Sequence, residues 1–305
     1  MRKGGTIIVV KPICAVDHNI HLSPGEHARL QDCFDVIYVD FSQPLSAHIK
    51  QSELLLIHTR LNHQLIREFP KCKYIGIRAH NTDYIDRRAA EELGITITGI
   101  PQAGEHSVAE HTFALIFVLS KRILQSHNNV IGGRWRDGLQ PNLELYGKKL
   151  GIIGYGNIGQ RVAAIGKALG MTILLAAKEG TDADGMIPLE DVLKEADIVT
   201  IHASTRAANT PLLNRERIAM MKHGSMLINT ARGKLVDHTA LEEALECGRL
   251  FGAALDVFEV EPAVNERICL RSDVICTPHH AYYTTETLFV MNSHLIDNAI
   301  HYYLR

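Results

Sequence analysis

The chain has 305 residues, 46% of them hydrophobic and 22% charged, and its 32 basic and 34 acidic residues leave a formal charge of -2. That length calls for one large or two medium domains with a sizeable core. The near-neutral balance argues against nucleic acid or an anionic membrane as the main partner, since both select a basic face.

The opening MRKGGTIIVVKP has basic residues ahead of an apolar run, but the run is too short for the core of a signal peptide and Lys11 interrupts it. No stretch approaches the roughly 20 apolar residues of a membrane span. The six cysteines are scattered, with no Cys-x-x-Cys pair. They read as small buried hydrophobes in a reducing compartment, so a cytoplasmic protein is expected.

In chain order, the apolar, β-branched runs TIIVV, DVIYV, LLLIH and YIGI each lead into a polar or helix-like stretch before residue 100. LGIIG, TILLAA, DIVTIH, SMLINT, GAALDV and DVICTP repeat the scheme from 150 to 278. Strands apolar on both faces and separated by helices predict parallel sheets covered on both sides, in two doubly wound α/β units. Between them, HSVAEHTFALIFVLSKRILQSHNNVIGG keeps helical apolar spacing from Val108 to Ile131, too long for an ordinary crossover helix. TTETLFVMNSHLIDNAIHYYL closes the chain with a second helical pattern, expected to return to the first domain.

GIIGYGNIG places Gly154, Gly156 and Gly159 in a Gly-x-Gly-x-x-Gly pattern, after an apolar run and ahead of the helical QRVAAIGKALG. Alone the pattern is weak evidence; this strand-to-helix context is what a dinucleotide site requires. Gly154 permits a tight turn, Gly156 lets a pyrophosphate approach the backbone, and Gly159 lets the helix pack on the strand. The helix then opens at Asn157 and Ile158, with its amides facing the phosphates. An acidic residue that binds the adenosine ribose is expected some twenty residues on, at the end of the next strand. That strand ends instead in Ala176, Ala177 and Lys178.

Three further loops carry charged side chains directly after strands of the same sheet. NTARG holds Arg232, LDVFEVEP holds Asp256, Glu259 and Glu261, and TPHHAYY holds His279 and His280. Such loops share the carboxyl edge with the glycine turn, where ligands bind in open α/β sheets. An arginine grips a carboxylate at two points, while a histidine oriented by a carboxylate transfers a proton near neutral pH. Taken singly, each is more often a solvated or salt-bridged surface group. No metal is expected, because His106 and His111 do not share one helical face.

At these residues the sequence resembles the D-isomer-specific 2-hydroxyacid dehydrogenases. SVAEHT, GRW, GKKLGIIGYGNIG, NTARGKLVD, ALDVFEVEP and TPH stand in that family's order over nearly the whole chain. The resemblance implies two Rossmann-like domains: a discontinuous substrate domain from residues 1–101 and 281–305, and a dinucleotide-binding domain from 102–280. It implies hydride transfer between a nicotinamide cofactor and C2 of a small 2-hydroxy or 2-oxo acid. Arg232 would bind the substrate carboxylate, His279 would be the acid/base, and Glu261 would orient it. Asp256 would lie near the nicotinamide carboxamide, Thr230 and Ala231 would border the ring, and Val108 would pack on it. The loop Ala79-His80-Asn81 would hold the substrate carboxylate through its backbone. Family practice also implies a homodimer.

Some positions depart from the pattern. Asn81 stands where glycine is usual, and asparagine is the next most tolerant residue of a left-handed backbone. His280 replaces the apolar residue that usually follows the catalytic histidine. If that segment is extended, successive side chains point to opposite sides and only one histidine faces the substrate; His279 is chosen for its place after Pro278. Ala177, in place of an aspartate, removes the repulsion of a 2'-phosphate, and Lys178 offers it a charge. NADP is therefore favoured over NAD, unless Glu179 replaces the missing acid. Arg78, His80 and His106 are expected at the surface. No regulatory domain is expected after the last helix. The alternative readings are a dehydrogenase-like NAD(H)-sensing binding protein of the corepressor type, and a same-fold enzyme acting on formate or phosphite.

Overall fold

The computed structural model describes residues 11–80, 85–101, 103–177, 185–204, 211–263 and 266–305. The chain divides into two compact units, one formed by residues 1–103 and 284–305 and the other by 104–283.

In the first unit β1 (Ile13–Asp17), α1 (Pro24–Cys33), β2 (Asp35–Val39), β3 (Leu54–Ile57), α2 (His63–Arg67), β4 (Tyr74–Ile77), α3 (Arg87–Glu92) and β5 (Thr96–Thr98) follow in order. They build an all-parallel sheet in the order β2-β1-β3-β4-β5. The expected strand TIIVV lies outside the described residues, and the first strand seen is ICAVD. Its Cys14, Ala15 and Val16 are wholly buried. Small residues suit a central strand covered on both faces, although a propensity reading passes over Cys and Ala. The edge strand β5 was also not expected.

The second unit begins with α4 (Glu105–Ser120) and α5 (Ile123–Ile131). The single long helix expected from Val108 to Ile131 is thus two, parted where Arg122 takes a left-handed backbone, φ 49°. The break falls in Ser-Lys-Arg, where no apolar side chain ties successive turns to the core. The Lys121 ammonium donates instead to the Leu143 carbonyl, and the Arg122 guanidinium lies 4.5 Å over the Phe251 ring.

Then come β6 (Lys149–Ile153), α6 (Asn157–Ala168), β7 (Thr172–Ala176), α7 (Leu189–Glu195), β8 (Ile198–Ile201), α8 (Arg215–Met220), β9 (Ser225–Asn229), α9 (His238–Glu246), β10 (Leu250–Leu255) and β11 (Val274–Cys276). The sheet is again all parallel, ordered β11-β10-β9-β8-β6-β7, and Ile187 adds a parallel bridge beyond β7 at Ala176. The order therefore reverses between β6 and β8, where a doubly wound sheet opens its binding crevice. Apolar layers cover both faces, one including Val192, Leu193, Leu241 and Leu245, the other Ala109, Phe113, Ile116 and Val162.

The chain ends in α10 (Thr285–Tyr303). This helix packs on β4 and α1 of the first unit. Leu295, Ile296 and Ala299 are its wholly buried residues.

Candidate active site

The glycine turn after β6 has the geometry its three roles demand. Gly154 has φ 98°, and a Cβ there would stand 2.6 Å from the Ala203 amide nitrogen. A Cβ on Gly159 would stand 2.2 Å from the Gly154 carbonyl oxygen. One on Gly156 would meet nothing within 4 Å, so that position faces open space. Gly156 caps α6, and among the described residues no side chain caps the amides of the first turn. Free amides at a helix N-terminus beside a glycine that leaves room for an anion fit the pyrophosphate of a dinucleotide. Asn157 is exposed, and Ile158 packs partly into the layer below. Ala177, at the end of β7, is half-buried. Lys178 and Glu179 lie outside the described residues.

The charged loops lie along the same edge. Asn229, wholly buried at the end of β9, pins the turn that follows. Its side-chain amide donates to the Arg232 carbonyl at 2.9 Å, and its oxygen accepts from the Ala231 amide at 3.1 Å. Thr230 is buried, its hydroxyl 3.1 Å from that of Thr112 on α4, one turn beyond the buried Val108. The Arg232 side chain remains exposed and donates to the Ala231 carbonyl. A Cβ on Gly233 would lie 1.9 Å from the Phe258 carbonyl carbon, so the arginine turn rests directly on the backbone of the next loop. In that loop Glu261 accepts from the Phe258 amide with Oε1, at 3.0 Å, and reaches His279 Nδ1 with Oε2, at 2.7 Å.

The sequence thus located Glu261 and His279, and the structure joins them. It also corrects how the two histidines part. The segment is not extended, because His279 takes a left-handed backbone, φ 51°. That conformation costs a non-glycine residue roughly 1–2 kcal/mol and is held by the Asp256 backbone carbonyl, which accepts from the His279 amide at 2.7 Å. The turn sends the His279 ring to Glu261 and the His280 ring towards His111, centroids 4.9 Å apart. Asp256, 1% exposed, spends its carboxylate on this loop, accepting from the Thr277 hydroxyl at 2.6 Å and from the His280 and Ala281 amides at 3.0 Å each. Those bonds make it a positioning residue for the His279 loop.

Asn229 and Gly233 escaped the sequence reading, although the NTARG motif contained both. Their signal was a buried amide at a strand end and a glycine next to the arginine.

In the first unit, Ala79 is half-buried, His80 is exposed, and Asn81 lies outside the described residues. His106 is exposed beside Arg161. Arg78, expected at the surface, is instead 2% exposed, donating to the Asn19 carbonyl and the Asn292 side chain. Its place at the end of a central strand, under α10, accounts for the burial.

A parallel sheet with a glycine turn facing open space at its switch point, and an arginine, a glutamate and a histidine on loops of the same edge, is the arrangement of a doubly wound nucleotide-binding domain. The model of the D-isomer specific 2-hydroxyacid dehydrogenase NAD binding domain matches residues 113–281. The D-lactate dehydrogenase of Aquifex aeolicus, solved with NAD and lactic acid, is 31% identical with a TM-score of 0.79, over 95% of each chain. An NADPH-dependent glyoxylate/hydroxypyruvate reductase of Sinorhizobium meliloti, solved with NADP and malonate, is 26% identical with a TM-score of 0.80, over 96% of this chain and 94% of its own. The D-3-phosphoglycerate dehydrogenase of Methanocaldococcus jannaschii is 36% identical over 253 residues, 80% of this chain and 48% of that protein. The chain belongs to the D-isomer-specific 2-hydroxyacid dehydrogenase family. It spans about half the length of that phosphoglycerate dehydrogenase.

Proposed function

We propose that the protein reduces a small 2-oxo acid to the D-2-hydroxy acid, or runs the reverse oxidation, with a nicotinamide cofactor. The observation that carries this is the 2.7 Å bond between Glu261 and His279 on the edge that also holds the glycine turn. The nicotinamide supplies the hydride. Because Glu261 engages Nδ1, Nε2 of His279 is the nitrogen left to protonate the substrate oxygen in reduction and to take the proton back in oxidation. Arg232 holds the substrate carboxylate by its planar fork, a positioning contribution that lowers the entropic part of the barrier. Gly154, Gly156, Asn157, Ile158 and Gly159 cradle the phosphates, and Val108, Thr230 and Ala231 border the ring. A corepressor-type sensor would keep the glycine turn but has no need of an oriented Glu261–His279 pair.

NADPH is proposed as the preferred reductant, since neutral Ala177 at the end of β7 does not repel a 2'-phosphate. The test is kcat/KM for NADH and NADPH over a panel of 2-oxo acids. Activity on none of them refutes the reaction, and a strong preference for NADH refutes the cofactor assignment alone. Ala177→Asp should then move the preference towards NADH.

No helix of the described residues is long and apolar enough to cross a membrane. A cytoplasmic setting is proposed on the six free cysteines. A homodimer is proposed on the exposed Ile123, Leu124, Val130, Ile131, Trp135 and Tyr146 of the second unit. Sedimentation analysis distinguishes it from a monomer.

A further inference from the structure

His280, which stands where the family pattern has an apolar residue, completes a cluster with His111 and the loop-positioning Asp256, apart from the Glu261–His279 pair. His111 of α4, Asp256 at the end of β10 and His280 after β11 offer donor atoms that all lie within 4.8 Å of one another. His111 Nε2 is 3.7 Å from Asp256 Oδ1, and His280 Nδ1 is 3.8 Å from the same oxygen. His280 Nδ1 is buried with no hydrogen-bond partner, although the ring as a whole is 43% exposed. It is a lone buried nitrogen directed at a carboxylate.

We propose that His111, Asp256 and His280 form a binding site for a divalent transition-metal ion of the zinc or cobalt class. Two imidazoles and one carboxylate suit such ions, and an open fourth position is left to water. Tetrahedral zinc holds nitrogen and oxygen donors roughly 3.4 Å apart. The two observed separations from Asp256 exceed that by a few tenths of an ångström, which small side-chain rotations close. A neutral imidazole is the form that ligates. In the absence of an ion the Thr277 hydroxyl donates to Asp256 and accepts from His111 Nε2 at 3.2 Å. Binding gives up the second of these bonds and shares Asp256 Oδ1 with the Thr277 hydroxyl and the His280 amide. The expectation of no metal rested on His106 and His111, which do not share a face. The partners of His111 come instead from segments more than 140 residues away, a proximity that spacing cannot reveal.

The ion ties α4, β10 and the loop after β11 together, one residue from His279. The test is Zn2+ titration of the full chain, without substrate or cofactor, by calorimetry and by thermal denaturation. His280→Leu and His111→Gln serve as comparisons; the glutamine keeps a hydrogen bond to Thr277 but is a poor ligand. The wild type is expected to bind one equivalent and to gain several degrees in Tm at a hundredfold excess over Kd. Each variant should lose on the order of 100-fold in affinity. Co2+ should bind the wild type with absorption bands of nitrogen and oxygen ligation and no thiolate charge transfer. The proposal is overturned if the wild type shows no saturable binding, or if all three chains bind alike, which would assign the ion to scattered cysteines and histidines.

Discussion

In the first sheet the strand order reverses between β1 and β3, and in the second between β6 and β8, yet the two reversal points are occupied in opposite ways. At the first, Asp17 closes the end of β1. Its Oδ2 accepts from the His58 and Thr59 amides beyond β3, at 2.9 and 2.6 Å, and its Oδ1 accepts from the Asn19 amide. Burial opposes the charge, but the bonds from Thr59, Asn19 and His58 outweigh it and hold the carboxyl below the usual range. At the second, among the described residues, no carboxylate caps the first turn of α6, which opens at Gly156 without a side-chain cap. One unit fills its reversal point with its own carboxylate; at the other the described residues leave the amides of the first turn uncapped. The same winding therefore gives a closed reversal point in one unit and an open one in the other.

The comparison is sharpened most by removing chemistry from the open edge. His279→Ala should lower kcat by about 10²–10⁴-fold, the usual worth of a general acid/base. Cofactor affinity, measured by fluorescence titration, should hardly change. His280→Ala should cost only a few fold; the reverse ranking of the two histidines would break the assignment.

The glycine turn offers the next largest effects. Gly159→Ala drives a methyl into the Gly154 carbonyl, and Gly154→Ala drives one into the backbone at His202 and Ala203. Each should cost about 1–3 kcal/mol or more in urea denaturation. Gly156→Ala meets nothing in the protein and should leave stability near that of the wild type while raising the cofactor KM. Equal destabilisation by all three would mean that Gly156 serves the fold and not a ligand.

His202, beside Gly154, supplies a pH signature for the second unit. Burial lowers its pKa from 6.5 to about 4. Between those values the unfolded chain binds a proton that the folded chain refuses. Stability should therefore fall as the pH drops from 6.5 towards 4, by roughly 3 kcal/mol in all, with no contribution from this group above pH 7. Denaturation of His202→Asn across that range should lose this part of the slope.

In the first unit, Asp17→Ala should cost about 2–3 kcal/mol by leaving the His58 and Thr59 amides without their acceptor, with turnover per folded molecule little affected. A loss of turnover without a loss of stability would show that the closed edge is itself catalytic. Leu295→Ala, which empties a wholly buried site on α10, belongs to the same unit and should cost about 2–5 kcal/mol.

Much of this was legible in the chain. Apolar runs bounded by polar stretches marked nine of the eleven strands among the described residues, because strands buried on both faces must be apolar throughout. The glycine spacing and its strand-to-helix setting identified the turn after β6, since only glycine tolerates the backbone contacts at Gly154 and Gly159. NTARG, LDVFEVEP and TPHH supplied the charged residues because each follows a strand of one sheet. The sequence by itself thus determined the two-unit parallel architecture, the place of the glycine turn and the residue types along the open edge, since all of these rest on local periodicity and backbone sterics. Tertiary structure alone decided which way each group faces. The left-handed backbone at His279 depends on the Asp256 carbonyl, the burial of Arg78 on α10, and the meeting of His111 with His280 on two strands and a helix far apart in the chain. Such bonds depend on distance in space, for which spacing along the chain carries no measure.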